Sequence, residues 1–394
     1  MHGFERPHDV TVGVDVGKLA HRACAVTAGG QVLFNVGLGN DEASVDRVLG
    51  DARAGGRSVL VVVDQRRNIG TLVLRRARAA GHDVAYMPGI AVHNASKLFP
   101  GDAKTDERDA EVIARTALGM PSCPRPVPEE DELEGARRLE AQRADLLKDR
   151  THQVNRLRAL MLESCPAFEA AMRPEEPWCL AALERLGGPW NIRDAGRRRY
   201  RGAAKGAPAG RAEALWDSVG GSTRPTEAQV ASEAVVVPII ARRIREDTEE
   251  IERLAGLIGD AVRGDETYRC LLTVPGVGPR TAAQLVLDVA IEDFADHDHL
   301  ASYCGLAPRN RQSGTSISSV AATPRGNRQL KNLLIFSCSC LARSSGYFRD
   351  CFDRCRGRGM PYKAALKAVA RKRLKVIFAV MRDRVPYDPG FLRA

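Results

Sequence analysis

Two short β-branched runs, each ending in or carrying an aspartate, constrain this chain more than any other feature. Residues 10–16, Val-Thr-Val-Gly-Val-Asp-Val, read as a buried strand that bears Asp15. Ser58 to Val63 reads as another, and it ends at Asp64. Between them lie a strand from Ala23 to Thr27 and one from Val32 to Val36, joined by the hairpin signal Gly29-Gly30. A helix is expected from about Asp41 to Ala52. Beyond Asp64 the pattern gives a helix from Ile69 to Ala80, a strand from Val84 to Met87 and a short helix from Ala91 to Leu98.

Three strands, then alternating helices and strands, is the element order of an RNase H-like α/β layer. In that order the first and fourth strands are neighbours at the sheet centre, which brings Asp15 beside Asp64. The stretch Lys104-Thr105-Asp106-Glu107-Arg108-Asp109-Ala110 follows the loop signal Pro100-Gly101-Asp102. It opens an apolar helical pattern through Ala110, Val112, Ile113 and Ala117 that would pack across those strands. Asp106 and Asp109 then share one helix face. Taken singly, each aspartate has a plainer role. Acidic residues favour a helix's first turn, Asp15 suits a strand-end turn, and Asp64 can open a loop. Together, Asp15, Asp64, Asp106 and Asp109 form a set of hard oxygen donors suited to Mg²⁺. Two such ions about 4 Å apart can clamp a phosphodiester.

After a Pro-rich linker, residues 121–128, the pattern turns helical. Ala136, Leu139, Leu146, Leu147, Val154, Leu157 and Met161 form one stripe of a long helix that ends before Pro166. A second long helix is expected from Pro238 to about Val262. Ile240, Ile244, Ile251, Leu254 and Ile258 sit at heptad spacing there, with Asp247 as the polar interruption. These helices read as an antiparallel coiled-coil arm or dimerisation element, or as the core of a helical bundle. The insert between them, 173–228, carries Arg197-Arg198-Arg199-Tyr200-Arg201, which suits either a phosphate backbone or a solvated loop. Leu272 to Ala282, with Val274-Pro275-Gly276-Val277-Gly278, reads as a helix-hairpin-helix whose Gly-rich turn lets a phosphate approach, or as a plain tight helical turn. Asp296-His297-Asp298-His299 reads as a helix-capping loop. The polar segment from Arg309 to Ser319 precedes two closing helices, near 328–344 and 362–382, the second strongly basic.

The chain has 394 residues, with 59 Lys and Arg against 49 Asp and Glu, a net charge of +10. That excess points to a polyanionic partner. The expected nucleic-acid contacts are Lys104, Gly276, Gly278, Arg280, Arg309, Arg311, Arg371, Lys372 and Arg373. Ten cysteines show no paired metal-binding spacing and read as reduced thiols. No secretory segment or bilayer-length apolar run occurs, so the expected place of work is the cytoplasm, without a membrane partner.

Several stretches, in this order, make the chain resemble the insertion-sequence "one-ten" transposases, relatives of the Piv invertase. They are Val12-Gly13-Val14-Asp15, Val61-Val62-Val63-Asp64, Lys104 to Ala110, Val274 to Gly278, Gly305-Leu306-Ala307-Pro308, Gln312-Ser313-Gly314 and Gly326-Asn327. The resemblance implies a RuvC-like domain over 1–122 and a linker with coiled-coil helices over 123–264. A mainly α-helical transposase domain with the helix-hairpin-helix would fill 265–394. It implies that Asp15, Asp64, Asp106 and Asp109 hold Mg²⁺ and that Ser313 is a nucleophile toward DNA. Asp64 departs from the family, where glutamate is usual. The implied partners are element-end and target DNA, a structured guide RNA and further copies of the chain. The competing readings are a Mg²⁺-dependent junction nuclease, an inactive nucleic-acid-binding scaffold and an actin-like ATPase. The last would need a second related α/β domain, and residues 265–394 read as helical.

Overall fold

The computed structural model describes residues 7–65, 68–99, 105–127, 132–313, 317–322, 326–341 and 346–392. For 308–313, 317–322 and 391–392 it describes the backbone alone. The chain divides into two units, residues 1–130 and 131–394.

The first unit is built on a six-stranded sheet of order β3-β2-β1-β4-β5-β6. Strands β1 (Val10–Val16), β2 (Ala20–Thr27) and β3 (Val32–Gly39) form an antiparallel meander. Strands β4 (Val59–Val63) and β5 (Asp83–Tyr86) run parallel to β1, which is the RNase H/RuvC-like layer expected. Both faces of β1 and β4 are covered, so these strands are apolar throughout rather than alternating. Val10, Val12, Val14, Val59, Val61 and Val63 face one core, beneath α1 (Glu42–Arg53) and α2 (Thr71–Ala79). On the other face Leu60, Val62 and Ala85 pack with Ile113 and Ala117 of a later helix. Helices α3 (Gly89–Ser96) and α4 (Asp106–Gly119) complete that side. The segment 121–127 is more than a linker. Its β6 (Arg125–Pro126) pairs with β5, and the Val127 amide donates to Val84 O at 3.1 Å, which moves the unit boundary beyond residue 122.

The second unit has two hydrophobic cores. Helix α5 (Glu134–Ser164) runs the length expected of it. The helical insert follows: α6 (Pro166–Ala171), α7 (Pro177–Leu186), α8 (Pro189–Ala195), α9 (Arg197–Ala203) and α10 (Arg211–Asp217). Helix α11 (Glu227–Val262) begins well before Pro238. Thr226 and Gln229 form its capping box, and Pro238 lies inside the helix. An interior proline costs roughly 3 kcal/mol; here Val237, Ile240, Ala241 and Ile244 are buried around it and offset that cost. One core joins Leu157 and Met161 of α5, Val237 to Ile244 of α11, and the insert's Leu183, Tyr200 and Trp216. The insert is therefore a packed subdomain. Tyr200 is buried and donates its hydroxyl to Ala212 O, while Arg197 and Arg201 both pair with Glu213.

The other core holds the C-terminal helices: α12 (Glu266–Leu272), α13 (Pro279–Asp288), α14 (His297–Tyr303), α15 (Arg328–Leu341), α16 (Tyr347–Gly357) and α17 (Tyr362–Asp383). Asp296 caps α14, accepting from the Asp298 and His299 amides at 2.9 Å, as its sequence implied. A two-stranded ribbon, β7 (Pro308–Ser313) and β8 (Ile317–Ala322), stands between α14 and α15 in the chain.

Candidate active site

Parallel pairing aligns Val14 with Val63, so the next residues, Asp15 and Asp64, emerge side by side from the sheet centre. Strand alternation decides where they point. Gly13 lies against α4: a Cβ there would sit 2.4 Å from Ala110 O and Ala114 N. Asp15, two residues on, shares that face. Leu60 and Val62 also face α4, so Asp64 does too. The absence of a side chain at Gly13 thus lets α4 lie directly on β1, with Asp106 and Asp109 in its first turn. All four aspartates are at one end of one face.

Burial pushes the Asp64 carboxyl above its ordinary range, and the Asp109 charge adds to that, although the Val16 amide donates to Asp64 Oδ1 at 3.4 Å. Asp109 is half-buried, and Asp106 is exposed. Among the described residues no three or more His, Cys, Asp or Glu side chains are closed into a metal-holding group. The arrangement gathers like charges at the ends of the central strands without drawing them into a cage.

Other residues fix α4, and sequence reasoning missed them. Arg22 is opposite Asp15 in register, donates to Asn35 Oδ1 and O at 2.8 and 2.7 Å, and pairs with Glu107 at 2.8 Å. Asn35 Nδ2 donates to Glu107 O at 2.9 Å. The Arg108 guanidinium donates to Ser96 O and Phe99 O at 3.1 and 2.8 Å. The available signal was a lone arginine within the apolar run of β2.

In the second unit α12, the turn and α13 form the expected helical hairpin. Gly276 has φ +76, and a Cβ there would meet Arg373 Nη1 and Leu341 Cγ at 2.7 Å. Gly278 caps α13, and Arg280 is exposed in its first turn. Arg371 is exposed and pairs with Asp298 at 3.1 Å; Lys372 is exposed, with its ammonium 5.8 Å from the Tyr347 ring centre. Arg373 differs from the surface contact expected of it. It is fully buried, donating to Leu334 O at 3.0 Å, to Pro275 O at 3.5 Å and to Ser337 Oγ. It supports the hairpin turn from behind. Ser313 ends β7, in register with Ile317 at the ribbon tip, and Arg309 and Arg311 occupy alternate positions before it. Lys104 lies outside the described residues.

Two family models match. DEDD_Tnp_IS110, described as a transposase, covers residues 12–166, and Transposase IS116/IS110/IS902 family covers 268–352. The insertion element IS110 uncharacterized 43.6 kDa protein of Streptomyces coelicolor is 35% identical, covering 96% of this chain and 95% of its own. The insertion element IS116 uncharacterized 44.8 kDa protein of Streptomyces clavuligerus is 34% identical, covering 97% of each. The pilin gene-inverting protein of Moraxella bovis is 37% identical over 30% of this chain and 38% of its own. T. thermophilus RuvC in complex with Holliday junction substrate aligns with 30% of this chain and all of its own at 21% identity, with a TM-score of 0.24.

Proposed function

The chain belongs to the IS116/IS110/IS902 family of transposases, and we propose that it recombines insertion-sequence DNA with an aspartate metal site and a serine nucleophile. The observation that carries this reading is the register of β1 and β4, which turns Asp15 and Asp64 toward the α4 aspartates. The donor set fits a hard divalent cation such as Mg²⁺. It is all carboxylate, and the Asp64–Asp109 repulsion is negative charge that a cation would relieve. Bound there, the metal would stabilise charge on the phosphate oxygens and acidify an attacking hydroxyl.

The protein's own residues would do the rest. Ser313 Oγ would attack phosphorus as its proton passes to water, and the DNA 3′- or 5′-oxygen would leave and take up a proton from water. The phosphoserine ester keeps the energy of the broken bond, so a DNA hydroxyl can reverse the step on a new strand without ATP. The Gly276–Gly278 turn and Arg280 would hold backbone phosphate. The net charge of +10 supports a further polyanion, in our reading a structured guide RNA. Two cuts require at least two copies, and α11 leaves Val235, Ile239 and Leu257 exposed for such an assembly.

A suicide DNA substrate tests the mechanism. The parent protein should form a covalent adduct that maps to Ser313 and needs a divalent metal. Ser313→Ala should bind DNA as the parent does and form none. Efficient cleavage without an adduct would establish a hydrolytic nuclease, and an adduct at Ser318 would reassign the nucleophile.

A further inference from the structure

The serine-bearing ribbon is long relative to its footing. Six residues per strand place Ser313 about 17 Å from the point where β7 leaves the helical core. At that length, a tilt of about 3° at the base moves the tip about 1 Å, and a 1 Å misplacement of a reacting group can cost about 10²-fold in rate. Whatever holds the base therefore sets the position of the nucleophile.

The two ends of the ribbon are tied to one cluster. On the way in, Gly305 has φ +66, and the Leu306 and Ala307 amides donate to Ala301 O at 2.8 and 3.1 Å. On the way out, Gly326 has φ +106, and a Cβ there would sit 2.7 Å from Tyr303 O and 2.8 Å from Gly305 N, so no other residue fits without displacing the backbone. Asn327 then bonds in three directions. Its backbone amide donates to Tyr303 O at 2.7 Å. Its Oδ1 accepts from the Gln329 and Leu330 amides, both at 3.0 Å, starting α15. Its Nδ2 donates to Asp288 Oδ2 at 3.1 Å.

Asp288 is the last residue of α13, and the network continues along that helix. Gln284 Nε2 donates to Asp288 Oδ2 at 2.9 Å. Gln329 Nε2 donates to Gln284 Oε1 at 3.3 Å and to Glu140 Oε1 at 2.8 Å. Glu140 in turn holds buried Arg143 with two bonds of 2.7 Å. Arg280, Gln284 and Asp288 are four residues apart, so they lie along one face of α13. One rigid helix thus runs from the phosphate-approaching turn to the base of the ribbon.

From this geometry we propose that Asn327 and Asp288 are positioning residues for Ser313, locking the base of the β7–β8 ribbon to the helix that begins at the phosphate-holding turn. The proposal rests on the reading of Ser313 as nucleophile, and its test separates the two. Asn327→Asp keeps the helix cap, because aspartate caps as well as asparagine, but sets a second carboxylate against Asp288. In the full-length protein it should speed amide hydrogen exchange across 308–322 and slow adduct formation on suicide DNA about 10²-fold. DNA affinity and exchange in α5 and α11 should stay at parental values. Adding Asp288→Asn restores one donor and one acceptor in reversed order and should recover most of the lost rate. Gln329→Met, which leaves the Asn327 cap intact, should give a smaller loss of the same kind if Asn327→Asp folds poorly. Unchanged ribbon exchange in Asn327→Asp, a normal adduct rate despite faster exchange, or a double variant as slow as the single one would overturn the proposal. A parent adduct at another residue would remove Ser313 from the mechanism, while the exchange comparison would still decide whether this cluster holds the ribbon.

Discussion

In the first unit, burial and the charge of Asp109 push the Asp64 carboxyl up. In the second, burial pulls the Arg373 guanidinium down, and its hydrogen bonds go to neutral acceptors. One region gathers negative charge where the central strands β1 and β4 end. The other hides a positive charge behind the Gly276–Gly278 turn. Elsewhere in the second unit a buried charge is matched at close range, as in the Glu140–Arg143 pair. Unmatched burial of charge costs several kcal/mol, so such places are kept where a partner arrives during function or where the fold tolerates them. Substitutions at the buried charges Asp64, Arg373 and Glu233 separate these cases.

The largest effect should come from Asp64→Asn. If the carboxylates hold Mg²⁺, losing one should remove several kcal/mol of transition-state stabilisation, about 10³-fold in cleavage rate. The same change relieves burial of a charge and its repulsion with Asp109. In chelator, the variant should therefore melt above the parent. Added Mg²⁺ should raise the parent's melting point more than the variant's, because only the intact site gains full binding energy. A variant that melts lower in chelator would show that Asp64 has a stabilising partner, and the contrast with Arg373 would fail.

An intermediate effect is expected at the hairpin. Arg280→Ala, Arg371→Ala and Lys372→Ala should each lower the salt slope of DNA binding by about one, as lost phosphate contacts do. Arg373→Met should leave the slope unchanged, because that side chain reaches no phosphate. Its unfolding free energy should change by less than about 2 kcal/mol, since lost hydrogen bonds and relieved charge burial oppose each other. A slope reduced by Arg373→Met would return that residue to the binding surface.

This pair of sites also marks how far the sequence could be read. The strands of the first unit are legible because β-branched runs and turn signals are local, and the adjacency of Asp15 and Asp64 follows from element order alone. The two-residue β6 carries no periodicity and is invisible without its partner, β5. The insert's arginines give no local sign that folding pairs Arg197 and Arg201 with Glu213. Pro238 looks like a helix start because local propensity favours it there, whereas the real start is the Thr226–Gln229 box. Arg373 was recoverable. Val369, Ala370, Leu374, Ile377 and Met381 form the buried stripe of α17, and residue 373 falls within it, while Arg371 and Lys372 do not. The Asn327–Asp288 cluster was not recoverable, because its members are far apart in sequence and polar residues have no periodic signature.

The smallest effect should come from Glu233, a buried carboxylate outside both sites. It lies on α11 against Gly188, whose missing side chain leaves room for it. Burial raises its pKa above the ordinary 4.5, against the lowering effect of the Ser164 hydroxyl and with the Glu163 charge adding to it, and among the described residues its Oε2 has no partner within hydrogen-bond distance. Because the folded-state value is the higher one, the folded chain binds more protons than the unfolded chain between the two values. Stability from this group is complete below the unfolded value and is lost as pH rises through the folded one. Glu233→Gln removes that loss at nearly constant volume. The variant should match the parent near pH 4 and exceed it by on the order of 1 kcal/mol at neutral pH, read from denaturant midpoints across that range. Adduct formation and DNA binding should be unchanged, which distinguishes a tolerated buried charge from Asp64, where the same relief should cost the activity. A gain that is equal at every pH would place the effect in packing. A loss of recombination would give Glu233 a functional partner and remove it as the neutral case in the comparison.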